Sequence, residues 1–270
     1  MERIERFWEE EALGGGMYTV PWLDLSRQCL EAYVAGAAEP AEARWVPERA
    51  MLRDVAGKDV LCLASGGGQQ SVAYGLLGAR VTVVDISEAQ LNSDRVAAAH
   101  YGYDVQTVKA DMRDLSCLAA ASFDLVYQPI SICFVPEVRE VYREVHRMLR
   151  PGSLYSVSHC NPATYPTCFE GGGNGWDGTG YRIAEPYAGG PIMMSGDGTE
   201  NMRLGEPTGE YRHLLSDIFD GLLECGFVIS AVAESPRHLP PHLPGRPGSS
   251  EHFWAYVAQY FTVICHSTGG

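Results

Sequence analysis

The chain has 270 residues, 46% of them hydrophobic, and a formal net charge of −14 at pH 7. This length and apolar content are enough to bury the core of one large domain, so no second domain is required. The excess of acidic residues argues against a protein that binds nucleic acid, because clustered lysines and arginines supply most of the affinity for phosphates.

The N-terminus and the cysteines indicate a reducing compartment. The opening stretch M-E-R-I-E-R-F-W-E-E-E is too charged for a signal peptide, and no apolar run approaches the length of a membrane span. The eight cysteines are scattered without a C-x-x-C pair, which is typical of free thiols. We therefore expect a cytoplasmic protein with neither a disulfide framework nor a bound metal.

The region before the first strand, residues 1–57, is predicted to be helical. Residues 1–12 show an apolar face at helical spacing, and Leu23–Val34 also have a helical pattern. Between them lies an aromatic stretch that contains Tyr18 and Trp22. These two side chains either cover a bound ligand or pack the region onto the core, and the sequence leaves both interpretations open.

A glycine-rich turn follows the first predicted strand, in the stretch D-V-L-C-L-A-S-G-G-G-Q-Q. The apolar run Val60–Leu63 is typical of a central parallel strand that is covered on both faces. Gly66, Gly67 and Gly68 lack a Cβ, so the backbone can turn sharply and approach a ligand closely. The next segment, Gln70–Leu77, is predicted to be a helix. A ligand at the turn would then meet backbone N–H groups and the positive end of that helix.

An acidic residue follows the second predicted strand, Val81–Val84. The carboxylate of Asp85 can accept hydrogen bonds from both hydroxyls of a ribose, whether the nucleotide is NAD or S-adenosylmethionine. The pattern Gly66-x-Gly68-x-x-Ser71 nearly fits the dinucleotide fingerprint, with serine in place of the third small residue. These residues predict a nucleotide cofactor without deciding between the two.

Strands and helices alternate regularly from Lys58 to His159, which is the pattern of a doubly wound parallel sheet. A helix after the fourth strand is the clearest, with apolar residues at i, i+3, i+4 and i+7 from Val138. The third, fourth and fifth strands are expected at Val105–Lys109, Phe123–Tyr127 and Leu154–Ser158.

Two histidines are candidate general bases. His159 follows the fifth strand, at the edge where open α/β sheets bind ligands, and a neutral imidazole there could take a proton from a hydroxyl or thiol. His213 is the second candidate, in the first turn of a helix predicted over Tyr211–Cys225. His159 could equally hydrogen-bond a nearby loop, and His213 could instead be a surface histidine.

Residues 163–209 lack periodicity and are rich in glycine, with aromatic residues that include Trp176 and Tyr181. We predict an inserted substrate-binding cap in preference to a linker, because aromatic and methionine side chains offer contact surface. His159, Tyr18 and Trp22 complete the predicted substrate-binding set.

The rest of the chain is predicted to complete the sheet. A strand is expected at Phe227–Ala233, and a proline-rich loop follows it. A last, antiparallel strand is expected over Phe253–Cys265. Residues 58–162 and 210–270 together would then form one domain.

Five stretches, V-L-C-L-A-S-G-G-G, V-V-D-I-S, A-D-M-R-D-L, S-F-D-L-V and M-L-R-P-G, resemble in order and spacing the class I S-adenosylmethionine-dependent methyltransferases. The resemblance implies an α/β, Rossmann-like fold with a mostly parallel seven-stranded sheet and an antiparallel last strand. It implies that Gly66 and Gly68 line the methionine end of S-adenosylmethionine and that Asp85 holds the ribose. It also implies that Asp111 and the backbone of Met112 read the adenine. The predicted cofactor-binding residues are Ala64, Ser65, Gly66, Gly67, Gly68, Gln70, Asp85, Ile86, Gln90, Asp111, Met112 and Gln128.

The chain departs from the family pattern in and after the first strand. Cys62 replaces the usual acidic residue, and Ala64 and Ser65 replace a glycine and a cysteine. The missing carboxylate usually helps to orient the amino group of the cofactor. Gln69 and Gln70 are the predicted replacements for its polar contacts.

The loop after the fourth strand bears on the methyl acceptor. Gln128-Pro129-Ile130-Ser131 keeps only one proline of the clamp that holds planar amines, although Gln128 is placed to touch the cofactor or the acceptor. Together with the acidity, this favours a small-molecule acceptor over RNA or protein. The sequence also leaves open an NAD-dependent oxidoreductase and a non-catalytic S-adenosylmethionine-binding module. The acceptor atom and the oligomeric state stay open.

Overall fold

The computed structural model describes residues 2–16, 18–37, 46–164, 176–183, 186–193, 207–235 and 245–269. Its helices are α1 (Glu2–Leu13), α2 (Arg27–Val34), α3 (Arg49–Leu52), α4 (Gln70–Leu76), α5 (Glu88–Tyr101), α6 (Val138–Met148), α7 (Leu215–Glu224) and α8 (Ser250–Trp254). Its strands are β1 (Asp59–Leu63), β2 (Arg80–Asp85), β3 (Val105–Lys109), β4 (Phe123–Gln128), β5 (Leu149–Cys160), β6 (Gly190–Met193), β7 (Pro207–Arg212), β8 (Phe227–Ser235) and β9 (Tyr260–Ser267).

Seven strands form one sheet in the order β3-β2-β1-β4-β5-β9-β8. The strands β1 to β5 run parallel to one another, and β9 is antiparallel to both β5 and β8. This confirms the predicted sheet with its antiparallel last strand. The strand order reverses at β1, which pairs with β2 on one side and β4 on the other. The crevice outside the carboxyl ends of β1 and β4 is therefore where such a sheet binds its ligand.

Strand β1 is buried on both faces, as its continuous apolar run predicted. Val60 and Cys62 belong to one core cluster, and Leu61 and Leu63 belong to the other. The apolar stripe of α6 packs into the second of these clusters, which confirms the periodicity of that helix. Its buried residues are Val138, Val141, Tyr142, Val145 and Met148.

Two predicted helices begin later than the sequence indicated, because a polar side chain caps each one. The side chain of Ser26 accepts from the N–H of Cys29 at 3.1 Å, so α2 starts at Arg27 and not at Leu23. The Asp217 carboxylate accepts from the N–H of Leu214 at 2.9 Å, so α7 starts at Leu215. The prediction that this helix starts at Tyr211 was wrong, because Tyr211 lies in β7 and pairs with β6.

The predicted start of the last strand was also wrong. Phe253 lies in the short helix α8, and β9 begins at Tyr260. Ser249 starts this helix by accepting from the N–H groups of His252 and Phe253. The ring of Phe253 is then buried against Tyr181, with the ring centroids 4.9 Å apart.

Much of the predicted cap lies outside the described residues, namely 165–175, 184–185 and 194–206. The described part holds a bridge between Trp176 and Tyr181 and the small sheet of β6 and β7. The domain boundaries stay a prediction. Among the helices that the structure describes, none has the length and apolar character needed to cross a membrane.

Candidate functional site

Two buried carboxylates hold the glycine turn at the end of β1. The Oδ2 of Asp85 accepts from the N–H of Gly66 at 2.9 Å, and the Oδ2 of Asp94 accepts from the N–H of Gly67 at 3.0 Å. Asp85 lies at the end of β2, and Asp94 lies on the buried face of α5. The turn is therefore tied to the two elements that follow it in the chain.

This arrangement corrects one expectation from the sequence. The N–H groups of Gly66 and Gly67 were expected to face a ligand, but they donate to carboxylates instead. The N–H groups of Ile86 and Ser87 also donate to Asp85. A pyrophosphate at this turn would find these donors already used and two carboxylates beneath them, which disfavours a dinucleotide.

Burial shapes the charge of both carboxylates. It raises the pKa of Asp85, and the backbone donors of Ser87, Gly66 and Ile86 oppose that rise. Burial also raises the pKa of Asp94 to about 7, and the nearby Asp85 adds to this increase. The site therefore favours a cation over an anion, because the carboxylates lie close together in a region of low dielectric.

Glycine is required at the turn by the space around it. A Cβ on Gly66 would lie 2.6 Å from the Cβ of Gln90, and a Cβ on Gly67 would lie 2.7 Å from the carbonyl oxygen of Tyr18. Gly67 also has a φ of +113°, which favours glycine. Ala64 adopts a φ of +46° at the position where the family pattern has glycine.

The side chains around the turn are polar and buried. The hydroxyl of Ser65 donates to the Oε1 of Gln70 at 3.2 Å, so these two predicted residues contact each other. The Oε1 of Gln90 is buried and has no hydrogen-bond partner among the described residues. This oxygen can accept a hydrogen bond, and it lies beside a turn that leaves no room for side chains. A ligand with N–H or O–H groups would fit there.

Residues 18–22 lie against the same turn. The N–H of Trp22 donates to the carbonyl of Gly68 at 2.9 Å, and the side-chain amide of Gln69 donates to the carbonyl of Val20 at 3.1 Å. The ring of Trp22 is 9% exposed and belongs to the core, which supports the packing interpretation for this residue. The side chain of Tyr18 is 55% exposed, and its predicted substrate contact stays a prediction.

Helix α1 crosses the carboxyl edge of the sheet. A Glu9 carboxylate oxygen accepts from the Ser87 hydroxyl at 2.6 Å and from the N–H of Ala89 at 3.2 Å, at the start of α5. Trp8 packs edge-on against Phe134, which follows β4, with the ring centroids 5.6 Å apart. The helix thus spans the ends of β2 and β4.

The predicted adenine-binding loop after β3 is also ordered by its own contacts. The guanidinium of Arg113 pairs with the carboxylate of Asp111 at 2.7 Å, and the N–H of Arg113 donates to the same carboxylate. The side-chain amide of Gln128 donates to the sulfur of Met112 at 3.3 Å. Gln128 is fully buried and accepts from the hydroxyl of Tyr155, so its cofactor contact stays a prediction.

The structure brings the two candidate bases close together. Burial lowers the pKa of His159 to about 3, and the nearby His213 contributes to this decrease. The Nε2 of His159 lies 3.2 Å from the hydroxyl of Tyr142, and its ring stacks on Phe261. Burial also lowers the pKa of His213. His213 lies between β7 and α7, and not in the first turn of the helix as predicted.

The aromatic residues predicted for the substrate cap form a cluster with α8. The Tyr181 hydroxyl lies 2.6 Å from the Nδ1 of His252. The ring of Trp176 packs against both Tyr181 and His252, with centroid distances of 5.1 and 4.9 Å. Their contact with a substrate stays a prediction.

Sequence reasoning missed three residues of this region, namely Glu9, Asp94 and Tyr142. Asp94 had a detectable signal, because it stands three residues after Leu91 on the apolar stripe of α5, where a charge is unexpected. Glu9 and Tyr142 had none, since their partners Ser87 and His159 are far away in the sequence.

Comparisons with known proteins identify the family of the chain. Residues 61–157 match the family described as a methyltransferase domain. The chain is 31% identical over 231 residues to an uncharacterized methyltransferase, YbaJ, of Bacillus subtilis (strain 168), covering 84% of this chain and 87% of that protein.

One further similarity covers a shorter part of the chain, and another is a likeness of fold at lower sequence identity. The chain is 35% identical over 128 residues to a ubiquinone biosynthesis O-methyltransferase of Pseudomonas syringae pv. tomato, covering 47% of this chain and 54% of that protein. The match thus spans about half of that relative. An S-adenosylmethionine-dependent methyltransferase from Mesorhizobium loti shares the fold, with a TM-score of 0.63 and 23% identity, over 81% of this chain and 94% of that one. The sheet order, the glycine turn and these similarities together show that the chain belongs to the class I S-adenosylmethionine-dependent methyltransferases.

Proposed function

We propose that this enzyme transfers the methyl group of S-adenosylmethionine to a small-molecule acceptor. The observation that carries the proposal is the covering of the ligand edge by the chain itself. Helix α1 reaches from Ser87 to Phe134, and residues 18–22 contact the glycine turn. A covered crevice suits a small acceptor, because a folded macromolecule needs an open surface.

Charge and similarity add support. The net charge of −14 disfavours an RNA acceptor. One relative is named for O-methylation in ubiquinone biosynthesis, which is methylation of a small molecule. A cytoplasmic location stays a prediction, in keeping with the free thiols among the described cysteines.

The residues present fit S-adenosylmethionine, since the turn excludes side chains and the carboxylates favour a cation. When bound, the cofactor supplies a methyl group on a sulfonium, which a nucleophile can displace in line. Asp85 would hold the ribose, and the backbone around Gly66 and Gly68 would face the methionine end. Helix α1 and residues 18–22 would exclude water and keep the acceptor close, which lowers the barrier of a transfer between two bound groups.

A hydroxyl acceptor also needs a proton acceptor, and we propose His213 ahead of His159. The Nε2 of His213 donates to a backbone carbonyl, which leaves the lone pair on Nδ1. The imidazole of His159 has a pKa of about 3, so it is a weak base at neutral pH.

The acceptor class can be tested with methyl-labelled S-adenosylmethionine and a cell extract separated into an ultrafiltrate and a macromolecular fraction. We expect label to appear in small molecules of the ultrafiltrate. The Asp85→Ala variant is the control, because it should lose cofactor binding and label neither fraction. Label in RNA or protein would contradict the proposal. Binding of S-adenosylhomocysteine without turnover in any fraction would indicate the non-catalytic module.

A further inference from the structure

Strand β1 lacks the acidic residue of the family pattern, and a carboxylate on helix α5 lies near that position. Cys62 stands in β1 where related methyltransferases carry an acid. It is fully buried, and burial raises the pKa of its thiol well above the ordinary value, so the position is neutral. The charge of Asp94 also raises the pKa of this thiol, so the α5 carboxylate is near enough to act on Cys62.

Asp94 is built into the site and is completely buried. Besides the N–H of Gly67, it receives the N–H of Gly68, and its Oδ1 accepts from the Ser71 hydroxyl at 2.5 Å. The hydroxyl of Tyr103 in turn donates to Ser71 at 3.3 Å. The carboxylate of Asp94, in the middle of α5, is therefore hydrogen-bonded both to the glycine turn and to the start of α4.

In the described part of the chain, the side chains that face Asp94 supply no positive charge to pair with it. They are Asp85 from β2, the thiol of Cys62 from β1, the hydroxyl of Ser71 from α4 and the phenol of Tyr103. None of these four groups is a cation. A buried carboxylate without a cation costs folding free energy. An amide of the same shape avoids this cost. Its oxygen can still accept from the N–H of Gly67, but its nitrogen can only donate, so the bond to the Ser71 hydroxyl must reverse.

This cost indicates a role in binding. The resemblance to the family places the methionine end of the cofactor at Gly66 and Gly68, next to the part of the turn that Asp94 holds. That end carries an ammonium group and a carboxylate, and in S-adenosylmethionine also the sulfonium, so a negative charge beneath the turn would orient the ammonium toward it and the carboxylate away from it. A negative charge directly beneath the turn attracts both cations.

We propose that Asp94 is a positioning residue for S-adenosylmethionine. It holds the glycine turn in its binding shape and places beneath it the negative charge that the thiol of Cys62 does not provide.

The test compares two ligands in the wild type and in Asp94→Asn. The probes are S-adenosylhomocysteine and 5′-methylthioadenosine, which lacks the amino-acid portion and its ammonium. We expect the substitution to weaken S-adenosylhomocysteine binding about tenfold, through the lost charge, and to change 5′-methylthioadenosine binding little. Isothermal titration calorimetry measures both. Glu88→Gln removes an exposed carboxylate from the same helix and should alter neither affinity.

The stability of the cofactor-free protein separates this role from a structural one. The pKa of Asp94 is raised in the folded state, so its ionisation destabilises the fold as pH rises from about 4 to about 7. At pH 8 the Asp94→Asn variant should therefore be at least as stable as the wild type while binding S-adenosylhomocysteine more weakly. Equal weakening of both ligands together with a lower melting temperature would overturn the proposal, as would unchanged binding.

The wild type provides a second, independent measurement. Protonation of Asp94 below pH 7 should weaken S-adenosylhomocysteine binding between pH 8 and pH 6 more than 5′-methylthioadenosine binding. The same pH dependence for both ligands would overturn the proposal even if the variant did not fold.

Discussion

The imidazole of His213 donates from Nε2 to the carbonyl oxygen of Val135 at 2.8 Å. A carbonyl oxygen can only accept, so the neutral ring carries its proton on Nε2 and its lone pair on Nδ1. Val135 follows the turn after β4, and His213 precedes α7. This contact fixes a potential proton acceptor in one tautomer beside the ligand edge of the sheet.

We expect His213→Gln to lower kcat about 100-fold with a hydroxyl acceptor, which is the usual range for loss of a general base. The affinity for S-adenosylhomocysteine should stay unchanged, because the cofactor turn is held by other residues. Steady-state kinetics and calorimetry measure the two effects. His100→Gln, an exposed position on α5, is the matched control. If His159→Gln lost activity to this extent while His213→Gln stayed active, the base would be His159 instead.

Acid should destabilise the wild type through His159. Its pKa is lowered from 6.5 to about 3 by burial, so the unfolded chain binds this proton more tightly than the folded one. Stability from this group is present above pH 6.5 and is lost as pH falls toward 3. Between pH 7.5 and pH 5 the free energy of unfolding should fall by about 2 kcal/mol more in the wild type than in His159→Gln.

Urea unfolding at both pH values measures this difference. The titration of Asp94 acts in the opposite direction, but it is common to both proteins and cancels in the comparison. Equal pH dependence in the two proteins would show that the folded His159 titrates normally.

Gly66→Ala should weaken S-adenosylhomocysteine binding by about tenfold or more, because overpacking of this kind costs a few kcal/mol. The new Cβ would lie 2.9 Å from the Oδ2 of Asp85 and displace the predicted ribose-binding carboxylate. Gly180→Ala is the control, since no heavy atom lies within 4 Å of its added Cβ. Calorimetry with both variants gives the comparison. Wild-type affinity in Gly66→Ala would place the ligand away from the turn.

Glu9→Gln should speed the release of S-adenosylhomocysteine about two- to fivefold. The carboxylate of Glu9 holds α1 to the positive end of α5, and such contacts contribute about 0.3–1 kcal/mol. Stopped-flow displacement measures the dissociation rate. Glu10→Gln changes the neighbouring, exposed carboxylate of the same helix and should leave the rate unchanged. Identical rates in Glu9→Gln and the wild type would mean that α1 does not open for ligand release.

Local patterns were sufficient for the central half of the fold. The apolar run of β1, the acid at the end of β2 and the stripe of α6 depend on neighbours in the sequence, and each lies where it was predicted. The prediction failed where a distant residue decides the structure. Phe253 has a strand-like sequence around it but is buried as part of a helix, because Tyr181 packs against its ring.

The site divides in the same way. The sequence alone placed a glycine turn after β1 and Asp85 at the end of β2 and indicated the family, because sharp turns and strand ends have local sequence signatures. Only the tertiary structure showed that Asp94 accepts a hydrogen bond from the N–H of Gly67 and that Glu9 accepts one at the start of α5. It also showed that His159 is too deeply buried to be a strong base. These properties arise from burial and from contacts between residues far apart in the chain, which no local pattern records.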